Sequence, residues 1–198
     1  MSEKIYRVNE VFLSLQGEAF WAGTPMIFIR FSGCNLHCPF CDTDFKSYTE
    51  MTIGQIQQEV LKYNCNKICL TGGEPMLQIT PELREQFYTY GIHIETNGTI
   101  PVFFDSKYCW LTVSPKVGCI QQQGDELKVV WHGQTQEELE PFLKWDFNHF
   151  YLQPDSTYVT TPPLSALHEQ RLTELINIIK RNPQWKLSLQ LHKILKIR

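Results

Sequence analysis

The chain has 198 residues, enough for one domain with a sizeable core, and residues 1–198 are expected to form a single domain. Lys and Arg number 18 against 21 Asp and Glu, a net charge of −3 with a pI near 6.1, so no basic footprint for nucleic acid is present. The opening Met1-Ser2-Glu3-Lys4-Ile5-Tyr6 lacks the apolar segment of an export signal and no run approaches bilayer-spanning length, which predicts a cytoplasmic protein with no membrane partner.

In chain order, strand-like runs fall at 7–15, 26–31, 67–71, 92–95, 110–113, 127–131 and 150–153, with another near 186–190. Several are continuous apolar runs, as strands covered on both faces should be. Helical patterns lie between some of them. Thr52-Ile53-Gly54-Gln55 resembles a capping box and opens a helix reaching about Tyr63. Thr80-Pro81 offers an N-cap followed by Pro at the first helical position. Thr135 with Glu138 is a second capping box, leading to Lys144. The last pattern covers 164–181, with Leu164, Leu167, Leu172, Leu175, Ile176 and Ile179 as its apolar face.

Strand–helix alternation implies a parallel sheet with right-handed crossovers. The links 96–109 and 114–126 are too short for full crossover helices. The expected fold is therefore α/β, a partial β/α barrel with abbreviated middle crossovers. Its active site should form at the carboxyl ends of the strands.

The chemistry-bearing segment follows the second of those strands. Gly33-Cys34-Asn35-Leu36-His37-Cys38-Pro39-Phe40-Cys41-Asp42 places three cysteines at C-x3-C-x2-C spacing. Full ligation of a cubane iron–sulfur cluster takes four thiolates, so three on one loop leave an iron open for something else to bind. A zinc site completed by a distant fourth ligand is the alternative, although His37 adjoins Cys38 and no second CxxC follows at ribbon spacing. The cysteine total of seven is odd, which argues against a disulfide framework. Cys69 and Cys109 sit in apolar runs and read as core residues, and Cys65 with Cys69 lacks the companion pair of a second cluster.

Other strand ends carry polar or glycine-rich segments: Thr71-Gly72-Gly73-Glu74-Pro75, Glu95-Thr96-Asn97-Gly98, Ser114-Pro115-Lys116 and Gln153-Pro154-Asp155-Ser156. Paired glycines allow close backbone approach to a ligand, and an ordinary turn is the plainer option. Arg30 lies between Ile29 and Phe31, where a cation needs an anionic partner: a substrate carboxylate or a structural ion pair.

The cysteine loop, with Phe40 before its third cysteine, resembles the radical S-adenosylmethionine (SAM) superfamily, and Gly72-Gly73-Glu74-Pro75 resembles that superfamily's GGEP motif. Adding Ser14-Leu15-Gln16-Gly17-Glu18, Arg30, Cys41-Asp42-Thr43 and the other strand-end segments, the chain is similar to the 7-carboxy-7-deazaguanine synthase family, over about residues 14–156 and more loosely at 189–193. That resemblance implies a lyase that contracts the ring of 6-carboxy-5,6,7,8-tetrahydropterin with loss of ammonia, in the biosynthesis of queuosine and other 7-deazapurines.

By the same resemblance, Cys34, Cys38 and Cys41 hold a 4Fe-4S cluster and Thr43 ligates Mg2+. Phe40, Cys41, Asp42, Gly72, Gly73, Glu74, Ser114, Pro115, Lys116, Gln153, Pro154, Asp155 and Ser156 contact SAM. Leu15, Gln16, Gly17, Arg30 and Thr71 bind the pterin, while Glu95 and Thr96 approach SAM. The radical comes from the cofactor, so no side chain is assigned a catalytic role. An external electron donor, flavodoxin-like or other, and a homodimer are implied too, with the stretch 142–151 either an interface or core. The competing readings are a glycyl-radical-enzyme activase and a zinc or iron–sulfur binding module without catalysis.

Overall fold

A computed structural model describes residues 3–41, 43–44, 46–103, 109–155 and 166–198. These form strands β1 (Ile5–Leu15), β2 (Pro25–Phe31), β3 (Thr49–Thr52), β4 (Lys67–Gly72), β5 (Gly91–Thr96), β6 (Cys109–Val113), β7 (Gln123–Trp131), β8 (Asp146–Pro154) and β9 (Trp185–Leu187). The helices are α1 (Ile53–Val60), α2 (Pro81–Gln86), α3 (Gln136–Leu139), α4 (Ala166–Arg181) and α5 (Leu191–Leu195). All nine strands join one sheet in the order β3-β1-β2-β4-β5-β6-β7-β8-β9, whose edges β3 and β9 do not pair with each other.

From β2 to β9 every pairing is parallel, as expected, but β1 runs antiparallel to both β2 and β3. The connection 16–24 is too short for a parallel crossover, which fixes the direction of β1. Strand β3 has no strand pattern of its own, since Thr49-Glu50-Met51-Thr52 alternates nothing and gains its place by pairing along β1. Among the described residues, no helix follows β5 or β6, and the sheet is an open partial barrel.

Alternation along the strands assigns each side chain to a face. Ile68, Leu70, Ile92, Ile94, Leu111, Val113, Leu127, Val129 and Leu152 point outward into the main core, against Ile56 and Val60 of α1, Leu83 of α2 and Leu175 of α4. Phe12, Met26, Phe28 and Cys69 form a smaller cluster on the concave face, with Trp21 against it. Cys69 and Cys109 are buried, as core cysteines should be. Phe147 and Tyr151 are buried too, and Phe142, Trp145 and Phe150 pack on the main core, so the aromatic stretch is largely interior.

The apolar face of α4 differs from expectation. Leu167 and Ile176 are exposed, while Leu175 is buried and Ile178 and Ile179 lie on the core; Leu164 lies outside the described residues. Helix α3 also stops early, giving way to a 3-10 segment at Glu140–Lys144. Pro141 lacks the amide an α-helix needs there. No helix among the described residues is long and apolar enough to cross a membrane.

Candidate functional site

The carboxyl ends of the parallel strands surround two adjoining cavities on the concave face. Cys34, Cys38 and Cys41 line the first, of about 230 Å3, facing Gly72, Gly73, Lys116 and Gln153. Phe12, Phe28, Arg30, Leu15, Gln16 and Gly17 line the second, with the tail residues His192, Lys193 and Arg198 opposite. Glu18, Thr43, Thr71, Glu95 and Gln190 line both and form the shared wall.

The cysteine loop is held against the end of β4 by backbone contacts. Gly73 N donates to Phe31 O at 3.0 Å and Glu74 N to Gly33 O at 2.9 Å. A Cβ on Gly73 would stand 2.0 Å from Gly33 O, and one on Gly72, at φ +127°, would stand 2.0 Å from Phe31 O. Glycine at both places permits this approach. Burial pushes the Cys34 thiol up; the Leu36 amide opposes this, while Glu74, Cys38 and Cys41 add to it. Three sulfurs in one cavity wall suit a soft cationic group, and thiolate is the form iron takes. The donor set and the glycine-lined cradle therefore fit an iron–sulfur cluster. No three His, Cys, Asp or Glu side chains among the described residues converge on a single-ion site.

Around the rest of the first cavity, Lys116 Nζ donates to Ser114 O at 3.0 Å and to Ser114 Oγ at 2.7 Å, and stands 5.8 Å above the Phe40 ring. Burial, with Lys128 nearby, lowers the Lys116 ammonium to about 8. The Phe40 ring also lies 4.3 Å from that of His132, whose Nδ1 is 3.1 Å from Asp155 Oδ2. Thr96 and Pro154 line the same cavity.

Two expected SAM contacts lie elsewhere. Glu74 does not line the cavity: fully buried behind it, its carboxylate accepts from Asn97 N (2.7 Å), Thr96 Oγ1 (2.8 Å) and Met76 N (2.9 Å). It braces the end of β5 against the glycine turn. Pro115 lines a neighbouring groove with His37 and Pro39. Asp42 and Ser156 lie outside the described residues.

In the second cavity Arg30 forms a structural ion pair and also lines the open space. Its Nε donates to Glu10 Oε1 at 3.0 Å, and its guanidinium lies 5.5 Å above the Phe12 ring while still lining the cavity. Gln16 Nε2 donates to Glu95 Oε1 and Thr71 Oγ1 to Glu95 Oε2, each at 3.0 Å. The tail both extends the sheet as β9 and covers this cavity, with Leu191 N donating to Gly17 O at 2.9 Å.

Sequence reasoning missed Lys128 and Gln190 and left Glu18 without a role. Lys128 lies in the apolar run Leu127-Lys128-Val129-Val130, the signal that marked Arg30. Gln190 has no such signal, because its place depends on where the tail folds.

The radical SAM superfamily model matches residues 28–118. A curated relative from Bacteroides thetaiotaomicron, named 7-carboxy-7-deazaguanine synthase, is 42% identical over 196 residues, covering 97% of this chain and 98% of that protein. A protein of the same name from Burkholderia multivorans is 35% identical, covering 97% of this chain and 99% of its own length. The crystal structure of QueE from Escherichia coli superposes with a TM-score of 0.70 over 95% of both chains; at 24% identity it supports the fold alone.

Proposed function

Because the chain belongs to the 7-carboxy-7-deazaguanine synthase family of the radical SAM superfamily, we propose that its two cavities carry out that ring contraction as a divided site. The first holds cluster and SAM, the second the 6-carboxytetrahydropterin. The observation carrying this reading is the shared wall: Glu18, Thr43, Thr71, Glu95 and Gln190 line both spaces, so the ligand of one abuts the ligand of the other.

Cys34, Cys38 and Cys41 would hold the 4Fe-4S cluster, which with SAM supplies the hydrogen-abstracting radical when bound. The protein's part is orientation and shielding. Gly73 and Gly72 let the cysteine loop pack directly on the end of β4 beside the SAM space, and Glu74 stiffens that turn from behind. Phe40, beside Lys116 and His132, contributes an apolar wall, while Gln153, Pro154 and Asp155 close the far side. Arg30, steadied by Glu10 and Phe12, is the cation assigned to the substrate carboxylate. Gln16 and Thr71, tied to Glu95, present fixed polar groups to the pterin ring. Thr43 is the proposed protein ligand of Mg2+. Its position between the cavities supports this, since magnesium completes its shell with water and substrate oxygens. An external reductant, a homodimeric state and a cytoplasmic setting complete the proposal.

Anaerobic reconstitution with iron and sulfide, then incubation with dithionite, SAM and carboxytetrahydropterin, tests it. The expected result is a deazapurine chromophore and ammonia, slowed when Mg2+ is withheld. Intact SAM would overturn the radical reading; cleaved SAM without the chromophore would overturn the substrate.

A further inference from the structure

Lys128 is a buried cation for which the scheme above has no role. Its side chain is only 6% exposed, yet it lines the cysteine cavity. It is salt-bridged to Glu18, and its Nζ lies 3.8 Å from Glu95 Oε1. Buried ion networks are a poor source of stability, because desolvating the charges offsets much of their attraction. What distinguishes this one is its location.

Glu18 and Glu95 both belong to the wall between the cavities. Gln16 and Thr71 hold Glu95, Gln190 Nε2 donates to Glu18 Oε1 at 2.8 Å, and Gln16 Oε1 accepts from Glu18 N at 3.1 Å. Residues assigned to the pterin are thus fastened, through two carboxylates, to an ammonium in the neighbouring cavity. We propose that Lys128 is a positioning residue of the reaction, holding Glu18 and Glu95 in place so that pterin is oriented by a cation it does not touch. This rests on the pterin assignment above.

The surrounding charges are few. Glu126 precedes Lys128 on the same face of β7, Lys116 comes from the β6–β7 link, His192 from the tail and Arg30 from β2. Burial alone would raise the Glu18 carboxyl, but the charge and hydrogen bond of Lys128, with Gln190 and His192, hold it near 2. Removing the ammonium takes away the charge and hydrogen bond that oppose burial at Glu18, and its proton affinity rises.

The test is kcat and KM for carboxytetrahydropterin against pH, in wild type, Lys128→Met, Lys128→Arg and Glu18→Gln, each checked for folding by circular dichroism. For Lys128→Met the pterin KM should rise about tenfold and the acid limb of kcat/KM should move about one unit or more toward higher pH. Lys128→Arg keeps the charge and should leave the limb close to wild type. Glu18→Gln leaves Lys128 wholly to Glu95, so its limb should stay at or below wild type. A folded Lys128→Met enzyme with KM and limb unmoved overturns the proposal, as does an equal shift in Lys128→Arg. If Lys128→Met does not fold, the other two variants decide, and a rising limb in either overturns it. Wild type that forms no deazapurine would instead sink the parent reading.

Discussion

Glu126 sits 3% exposed on the concave face, its carboxylate accepting from Phe20 N at 3.0 Å and Thr112 Oγ1 at 3.2 Å. Burial pushes it up to about 7, with Glu95 adding to the rise and Lys128 opposing it. A raised folded value means that the native state binds the proton more tightly than the unfolded chain. The resulting stabilisation is full below the ordinary value of 4.5 and is lost as pH rises through about 7. Glu126→Gln should therefore gain stability relative to wild type between those limits, by on the order of 3 kcal/mol at most, and level off above. Thermal unfolding across a pH series checks this, and a difference flat with pH would contradict it. Gly73 invites a second test: its alanine Cβ would strike Gly33 O at 2.0 Å, beside Cys34. Gly73→Ala should lower iron bound after reconstitution several-fold, whereas Gly54→Ala, whose nearest neighbour is Thr52 Oγ1 at 3.8 Å, should not.

Helix α1 shows how far local sequence reaches. Thr52 Oγ1 accepts from Gln55 N at 3.3 Å and Gln55 Oε1 accepts from Thr52 N at 2.8 Å, the reciprocal pair that the sequence announces. Thr52→Ala should cost about 1 kcal/mol in urea unfolding, and a change near zero would mean that β3 alone holds this end. Signals confined to a few neighbours were legible: the caps at Thr52, Thr80 and Thr135, the parallel strands and the cysteine loop. Signals set by distant partners were not. Glu74 turns away from the cavity because Thr96 and Asn97, at the end of β5, take its carboxylate. Leu167 and Ile176 fit a helical stripe, yet the sheet reaches only the neighbouring strip of α4. Lys128 was readable by the argument applied to Arg30, though its partners Glu18 and Glu95 come from separate segments.

At the scale of the whole molecule, an open barrel must manage the gap between its unpaired edges β3 and β9. Here the segment after β9 turns back to β1. Arg198 Nη2 lies 3.3 Å from Glu10 Oε2, and its guanidinium lies 5.7 Å from the Phe12 ring that also carries Arg30. Glu10 thereby joins two arginines, one from the sheet and one from the tail. The clasp depends on Gly17, since its Cβ would fall 2.2 Å from His192 Nδ1, and Gly17 O receives the Leu191 amide. Gly17→Ala should push the tail off the second cavity. The Leu191 amide would then lose its protection from hydrogen exchange, and the pterin KM would rise about tenfold, roughly 1.4 kcal/mol of binding. The exchange measurement needs no catalysis, so it separates tail release from any direct effect on substrate. Retained protection at Leu191 would show that the tail tolerates the methyl group and that the gap is closed by β9 packing instead.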